Sequence, residues 1–315
     1  MEYRRFGRTN EKISVITLGG MRFKHGWNPP RGHLPAESIQ NCIEITSQAL
    51  DAGINHIETA HGYMKSENLF GVALKELGTS RKQFKMMTKG APMTGDETRN
   101  LVEEQLKNLK MDYVDFYGWH GINNEERLRA AIQPGGPVEV LHRLREEGLI
   151  RHIGFSTHAP LDVILKALNT DLFSFVNLHY YYFFQRNFTA VQLAGKKDIG
   201  VFIISPNEKG GMLWKPSSIV KDICRPMSAI QFNGRFCLGH PEITTLSMGM
   251  HEPKHFPQNL SVLSEDKIYA DKETQIKKRL DQRLNEVKEL CTLCNECLPC
   301  PEKINIPEVL RFRNL

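Results

Sequence analysis

Ile54-Asn55-His56-Ile57-Glu58, Phe84-Lys85-Met86-Met87-Thr88-Lys89 and Tyr113-Val114-Asp115-Phe116-Tyr117-Gly118-Trp119-His120 are apolar, strand-like stretches that lead into reactive polar side chains. Tyr63 follows the first of them. If these strands are parallel neighbours in a closed barrel, their carboxyl ends open on one face, where residues distant in sequence share a pocket. The stretches therefore predict a carboxylate, a phenol, an ammonium and an imidazole around one substrate.

Strands and helices alternate along most of the chain, which argues for parallel βαβ units. The predicted strands are at 15–20, 54–58, 84–89, 112–119, 150–155, 174–179, 200–205 and 242–247. The predicted helices are at 36–52, 66–77, 97–109, 137–147, 160–168 and 187–196. Two short β-like runs within residues 3–19 flank a turn and predict a hairpin. The fold class is therefore α/β, a (β/α)8 TIM barrel with an N-terminal β-hairpin and a C-terminal helical, cysteine-rich extension.

Length and composition limit the classes of protein that fit. A barrel of this kind needs about 250 residues, so a chain of 315 residues leaves room for an appendage. We place the barrel at 1–265 and the extension, which begins with a charged amphipathic helix at 271–290, at 266–315. A net charge of +5 spread along the chain gives little support to a nucleic-acid partner. Neither a membrane span nor a secretory signal is recognisable, so we expect a cytoplasmic protein.

The quoted stretches resemble the aldo-keto reductases. Residues 55–63 are similar to the second-strand motif of that family, Thr88-Lys89 to its third-strand lysine, and residues 112–120 to its fourth-strand histidine motif. The similarity continues by pattern through 148–156, Asn177, Ser205-Pro206 and Lys209-Gly210-Gly211, over about 260 residues. The resemblance implies a barrel enzyme that reduces aldehydes or ketones with a nicotinamide cofactor.

Carbonyl reduction requires these chemical groups for a physical reason. Hydride transfer leaves an alkoxide that must receive a proton, and Tyr63 is the predicted general acid. Lys89 would lower the pKa of this phenol, Glu58 would keep Lys89 charged and oriented, and His120 would orient the carbonyl. Alone, each residue has an ordinary explanation as a surface charge, a turn aromatic or a structural histidine. Their order at adjacent strand ends favours the catalytic interpretation.

Glu58 departs from the family pattern, which has aspartate at this position. The extra methylene moves the carboxylate by about 1.5 Å. A displacement of ~1 Å near reacting groups costs on the order of 100-fold in rate, so slow turnover is a second expectation. The alternative function is therefore a slow-turnover redox sensor that binds nicotinamide nucleotide, as the potassium-channel β subunits of the superfamily illustrate.

The resemblance also implies an extended NADPH across the barrel mouth, without a Rossmann fold. The cofactor-binding candidates are Gly20, Met21, Ser156, Asn177, Ser205, Pro206, Lys209, Gly210, Gly211, His255 and Asn259. Two of these differ from relatives, with Asn177 near a glutamine position and His255 where an arginine binds the 2′-phosphate. Lys254 offers a second cation there, so NADPH is favoured over NADH only narrowly. One ring of Tyr180, Tyr181 and Tyr182 is expected to stack on the nicotinamide.

Four of the chain's seven cysteines are crowded near the end, at Cys291, Cys294, Cys297 and Cys300. In a reducing cytosol this crowding indicates metal rather than disulfides. Thiolates spaced by two residues can wrap a [4Fe-4S] cluster, although the ferredoxin pattern has three residues before its last cysteine and this chain has two. Zinc sites built from four cysteines use two separated pairs, so zinc is the rival, followed by empty thiols.

The cysteine run resembles the C-terminal ferredoxin-like segment of a subset of aldo-keto reductases, in which an Ile-Pro element such as Ile306-Pro307 follows. A cluster there would allow an electron-transfer partner. Passing single electrons to the nicotinamide ranks low, because a plain nicotinamide transfers hydride and no flavin motif is evident. The natural substrate and the oligomeric state are left open by the sequence.

Overall fold

A closed parallel barrel forms the body of the protein. The computed structural model describes residues 1–24, 26–28, 30–263, 268–286, 291 and 297–314, with the backbone alone for 268–270 and 311–314. The antiparallel hairpin is β1 (Tyr3–Arg5) with β2 (Lys12–Ser14). The barrel strands are β3 (Ile16–Gly19), β4 (His56–Glu58), β5 (Lys85–Gly90), β6 (Val114–His120), β7 (Ile150–Ser156), β8 (Phe175–Leu178), β9 (Gly200–Ile203) and β10 (Ile243–Met248). Each pairs in parallel with its neighbours, and β10 closes onto β3.

The predicted fold class is thus confirmed, with all eight barrel strands at the expected places. The barrel helices are α1 (Ala36–Asp51), α2 (Ser66–Glu76), α3 (Gly95–Leu109), α4 (Glu125–Ile132), α5 (Pro137–Glu146), α6 (Leu161–Leu168), α7 (Phe188–Lys196), α8 (Ser218–Cys224), α9 (Ala229–Leu238) and α10 (His255–Leu260). The sequence analysis missed α4, α8, α9 and α10. These are short, at 6–10 residues each, so their apolar periodicity is weak.

Local signals explain where several helices begin. The Thr94 hydroxyl accepts a hydrogen bond from the Glu97 backbone N–H, and the Glu97 carboxylate accepts one from the Thr94 N–H, which forms a capping box for α3. Pro137 opens α5, where its missing N–H has no intrahelical partner to lose. These caps fix the helices that hold β5, β6 and β7 in place.

The amino-terminal ends of the strands form a sealed barrel floor. The Phe6 ring, carried by the hairpin, packs against Phe116 and Phe175 with centroids 5.2 and 5.4 Å away. His56 lies above it, and its Nδ1 is 2.8 Å from the Thr17 hydroxyl. Because these side chains are completely buried, the floor admits no substrate and the opposite end is the barrel mouth.

Two further helices follow the barrel, α11 (Ile268–Asn285) and α12 (Ile306–Asn314). Ile276 and Leu280 of α11 are buried in a cluster with residues of α8 and α9, which confirms the predicted packing of this face. The boundary predicted at 265/266 falls in 264–267, outside the described residues, and the domain division stays a prediction. Within the described part of the chain, every helix is too short or too polar to cross a bilayer.

Candidate active site

Three of the predicted catalytic residues meet at the barrel mouth. Glu58 ends β4 and Lys89 lies near the end of β5, and only 2% and 1% of them is exposed. Lys89 Nζ forms an ion pair with Glu58 Oε1 and donates a hydrogen bond to the Thr59 carbonyl at 2.8 Å. The Tyr63 hydroxyl donates to the same Glu58 oxygen at 3.2 Å. The Glu58 carboxylate therefore joins the ammonium and the phenol.

The Tyr63 ring is held from two sides. Lys89 Nζ lies 4.9 Å from its centroid, and the His120 ring meets it edge to face at 6.0 Å. Gly62, in the same turn, lies next to the His120 ring, since a Cβ at that position would be 3.7 Å from it. The four predicted residues thus converge from three consecutive strands and the turn after β4.

The expected lowering of the Tyr63 pKa is wrong for the free protein. Burial raises the pKa of Tyr63 to about 12, so the phenol is protonated at neutral pH. Burial lowers the pKa of Lys89 well below its usual value, while the Glu58 carboxylate opposes that shift. Since the Lys89–Glu58 pair is nearly neutral as a unit, it offers the phenolate little net positive charge, and desolvation dominates.

His120 ends β6 and is half-buried. Burial, and then the charge of Lys89, lower its pKa to about 3, so its imidazole is neutral at physiological pH. His120 lines a cavity with His61, Pro92 and Leu101, which is distinct from the cleft described next. A neutral imidazole here has one N–H to donate to a carbonyl oxygen.

A cleft of about 110 Å³ opens beside Glu58 and Tyr63. It is lined by several predicted cofactor-binding residues: Met21, Ser205, Pro206, Gly210 and Gly211. Gly210 and Gly211 have φ of +85° and +76°, in the left-handed region that favours glycine, and a Cβ on Gly210 would meet no atom within 4 Å. The loop after β9 therefore presents backbone to the cleft.

Sequence reasoning missed other residues of this cleft. Ser247 lies near the end of β10, and its hydroxyl donates to Glu58 Oε2 at 3.3 Å. Arg22, Ile204 and Trp214 also line the cleft. Ser247 was recognisable as one more polar residue near a strand end, whereas Arg22 and Trp214 each end a three-residue 3-10 helix, which leaves no such signal in the sequence.

Three predicted cofactor-binding residues, Gly20, Ser156 and Asn177, are buried and do not line this cleft. Gly20 packs so tightly that a Cβ would lie 2.4 Å from the Phe70 ring. The Ser156 hydroxyl accepts a hydrogen bond from the Gly121 N–H at 3.1 Å. Asn177 donates to Met87 Sδ at 3.2 Å, and its buried Oδ1 has no hydrogen-bond partner among the described residues. Asn177 thus keeps an acceptor available at the carboxyl end of β8.

The stacking expected of Tyr180, Tyr181 or Tyr182 is a wrong prediction. All three are buried and pack against other aromatic side chains, Tyr180 on His240, Tyr181 on Phe184 and Tyr182 on Phe232. The rings of Tyr180 and Tyr182 pack against Phe236 of α9, and the Tyr181 ring packs within the loop after β8 itself. Ile204, one residue after β9, lines the cleft instead.

The predicted adenosine-end residues are split between two environments. His255 lines a second cleft with Arg22, Trp214, Lys215 and His251. Asn259 is completely buried and accepts a hydrogen bond from Asn207 Nδ2 at 3.1 Å. Lys209 forms an ion pair with Glu308 of α12. Asn259 therefore holds the loop after β9 rather than facing a cleft.

The cysteine run is described only in part. Cys291 and Cys300 are half-buried, Cys297 is exposed, and Cys294 lies outside the described residues. Across the ranges that the structure describes, no three His, Cys, Asp or Glu side chains are placed to hold one metal ion. The described residues alone therefore do not form the predicted cluster site.

Comparison with known proteins agrees with this geometry. The uncharacterized oxidoreductase YqkF of Bacillus subtilis is 24% identical over 266 residues, which are 80% of this chain and 78% of that protein. Dihydrodiol dehydrogenase 3 of Bos taurus is 29% identical over 39% of this chain, a match that spans only 45% of its own length. The holo form of aldo-keto reductase AKR11C1 from Bacillus halodurans superposes with a TM-score of 0.73 at 19% identity, over 88% of this chain and 96% of that one.

The family model described as "Aldo/keto reductase family" matches residues 15–231, about two thirds of the chain. The match begins just after the hairpin, runs from β3 through β9 into α9, and so includes every strand-end residue discussed above except Ser247. This family binds NADP(H) and acts on small carbonyl compounds. The chain belongs to the aldo/keto reductase family of NAD(P)H-dependent oxidoreductases.

Proposed function

We propose that the protein reduces aldehyde or ketone carbonyls with NADPH, using Tyr63 as general acid. The observation that carries this proposal is the shared Glu58 carboxylate, which contacts both Lys89 Nζ and the Tyr63 hydroxyl beside an open cleft. With its pKa raised to about 12, Tyr63 holds its proton until charge develops on the carbonyl oxygen. His120, whose ring meets the Tyr63 ring edge to face, then donates a hydrogen bond to that oxygen.

The residues present fit a nicotinamide cofactor. The buried Asn177 Oδ1, which lacks a partner within the described residues, is an acceptor suited to the carboxamide N–H. Gly210 and Gly211 leave room for phosphate oxygens to approach the backbone, and Lys209 supplies a cation to the same loop. Arg22, Lys215 and His255 line the second cleft, where positive charge favours the 2′-phosphate of NADPH over NADH. When bound, the cofactor supplies the hydride.

Substitution of Tyr63 tests this function. Tyr63→Phe removes the acidic hydroxyl and keeps the ring, so kcat for NADPH oxidation with aldehydes should fall by about 100- to 10,000-fold. Tyr113→Phe is a matched control, because Tyr113 precedes β6 at the floor end and its ring packs against Arg81 and Arg151. Equal turnover by wild type and Tyr63→Phe on a panel of aldehydes, ketones and quinones would reject the proposal.

A slow-turnover nucleotide sensor is the second candidate, and one observation favours it. The Tyr63 hydroxyl is already bonded to Glu58, and the longer glutamate side chain brings the carboxylate to it. Proton delivery to a substrate must break that bond. Fluorescence titration with NADPH separates the candidates, since a sensor binds the nucleotide tightly while no carbonyl compound gives Tyr63-dependent turnover.

We further propose that Cys291, Cys294, Cys297 and Cys300 bind a [4Fe-4S] cluster. The support is the thiolate donor set at two-residue spacing, and the cluster would supply one-electron chemistry to an electron-transfer partner. Anaerobic purification followed by iron, sulfide and zinc analysis tests it, with about four irons per chain expected. Cys297→Ser should lower the iron content, and Cys224→Ser, a buried cysteine of α8, should not. Zinc without sulfide would reject the cluster.

A further inference from the structure

A group of basic side chains lies at the barrel mouth beside His120. We call His158, His179, Arg186 and Lys209 the basic cluster. His158 follows β7 by two residues, His179 directly follows β8, Arg186 belongs to the loop after β8, and Lys209 to the loop after β9. Because β6, β7, β8 and β9 are consecutive neighbours, these loops meet next to the strand end that carries His120.

Direct contacts hold most of the basic cluster together. His179 Nε2 is 2.8 Å from His158 Nδ1, and the His179 ring lies 5.9 Å from the Phe184 ring. The Arg186 guanidinium lies 4.9 Å from the same Phe184 centroid and donates to the Ala159 carbonyl at 3.3 Å. Arg186 is thus fixed against the two loops that carry the histidines.

The charges of the basic cluster act on one another. Burial, followed by the charges of Lys209 and Arg186, lowers the pKa of His158. Burial and then the charge of His158 hold the pKa of His179 well below its usual value. Both histidines are therefore neutral at pH 7, and the positive charge of the basic cluster is that of Arg186 and Lys209, which attract an anion.

A carboxylate of the chain itself already sits at this place. Glu308 of α12 forms an ion pair with Lys209. Its charge also acts on Arg186 and His158, raising the pKa of both against the lowering effect of burial. Glu308 therefore marks where a carboxylate is stabilised at the mouth.

We propose that the basic cluster is a subsite for the carboxylate of an anionic carbonyl substrate, an oxo acid or a carboxylated aldehyde, and that Glu308 occupies it in the free protein. The planar guanidinium of Arg186 is the group that suits a carboxylate best. His120 pairs in register with Ser156, two residues before His158, so the basic cluster lies beside the strand end that carries His120. A substrate carboxylate on the cluster would therefore leave its carbonyl at His120 and Tyr63. This inference rests on the proposed reductase function.

A matched pair of substrates tests it. The ratio of kcat/KM for 4-carboxybenzaldehyde to that for its methyl ester is measured at saturating NADPH, so that a change in cofactor binding through Lys209 affects both compounds alike. In Arg186→Gln this ratio should fall about tenfold or more. In Glu308→Gln it should rise severalfold, because the competing carboxylate is gone. The exposed residues Arg143 and Glu302 supply the controls, and Arg143→Gln and Glu302→Gln should leave the ratio unchanged.

Arg186→Lys separates charge from folding, since it keeps the cation and should recover part of the ratio. Unchanged ratios in both Arg186→Gln and Glu308→Gln would overturn the subsite while leaving the reductase standing. If wild type turns over neither compound, benzoate binding by calorimetry decides the subsite, and the panel with Tyr63→Phe decides the reductase function separately. Glu308→Gln should then bind benzoate more tightly than wild type, and Arg186→Gln more weakly. Equal binding by all three proteins would overturn it.

Discussion

Two histidines inside the barrel have the same lowered pKa and different surroundings. His56 lies at the floor and His120 at the mouth, and burial lowers the pKa of each to about 3. The His56 ring is enclosed by Phe6, Phe116 and Phe202, with centroids 6.2, 5.2 and 5.7 Å away. His120 is half-buried, lines a cavity and meets the Tyr63 ring.

The two histidines show that a lowered pKa reports the burial of a group and does not by itself indicate a catalytic role. His56 is fully sealed, bonded to Thr17 and away from every described cavity, so its neutral imidazole is part of the packing. His120 has the same protonation state with access to a cavity and an ion pair close by. A chemical role at the mouth therefore depends on whether the titratable group lines a cavity, as His120 does. His56, which has the same lowered pKa and lines no described cavity, is the control.

Loss of the ion pair at the mouth should produce the largest effect. Lys89→Met leaves the buried Glu58 carboxylate without its cation, which should destabilise the fold by about 3–5 kcal/mol. Turnover should also fall by about 100-fold or more, because Tyr63 loses the ammonium that packs against its ring and holds Glu58, the partner of its hydroxyl, in place. Chemical denaturation and steady-state kinetics with an aldehyde measure the two effects separately.

The double variant Lys89→Met with Glu58→Gln separates structure from chemistry. Removing both charges should restore most of the stability, since no unpaired charge stays buried, and should leave turnover low. Full recovery of turnover in the double variant would show that the ion pair only stabilises the mouth. Stability equal to wild type in Lys89→Met would show that Glu58 carries no charge there.

The residues at the barrel mouth were predictable from the sequence because they lie at the ends of predicted strands. Glu58, Lys89 and His120 each end an apolar run, and a parallel barrel brings such ends together whatever their distance in sequence. The direction in which the side chains of the loops point was not predictable by the same argument. The three tyrosines after β8 are buried, and Ile204 lines the cleft instead. Packing between helices and loops determines these side-chain directions, and the local sequence pattern does not reveal them.

The prediction that the pKa of Tyr63 is lowered was wrong for a related reason. The sequence supplies the partners of a group and not the degree of its burial, so the attraction to Lys89 was counted and the desolvation of the phenol was not. Ser247 shows the converse case. Ser247 is a polar residue near the carboxyl end of β10, so the argument that identified Glu58, Lys89 and His120 would have identified it too if applied to the last strand.

The floor histidine gives the second prediction, through pH. Its folded pKa is about 3 against 6.5 when unfolded, so below pH 6.5 the unfolded chain binds a proton that the folded chain does not. Stability therefore falls as pH decreases, by about 2 kcal/mol from His56 between pH 6.5 and 5. His56→Gln should remove that part of the slope. Urea unfolding at the two pH values measures it.

The exposed His33 is the matched control for this slope. His33→Gln should change stability with pH as wild type does, because His33 lies on the surface. A slope for His56→Gln equal to that of wild type would mean that His56 accepts a proton within the folded barrel. The floor would then be less sealed than its aromatic packing indicates, and the contrast with His120 would be lost.

Glu58→Asp should produce the smallest change. It tests whether Glu58, at the mouth, restrains the Tyr63 hydroxyl or positions it. The shorter side chain withdraws the carboxylate by about 1.5 Å, which breaks its 3.2 Å bond to the Tyr63 hydroxyl, while the long Lys89 chain follows the carboxylate. With the hydroxyl free to meet a substrate, kcat should rise by about two- to tenfold. Steady-state kinetics measures this, with Glu139→Asp on the exposed face of α5 as control. A lower kcat would mean that Glu58 positions Tyr63 for the reaction rather than restraining it.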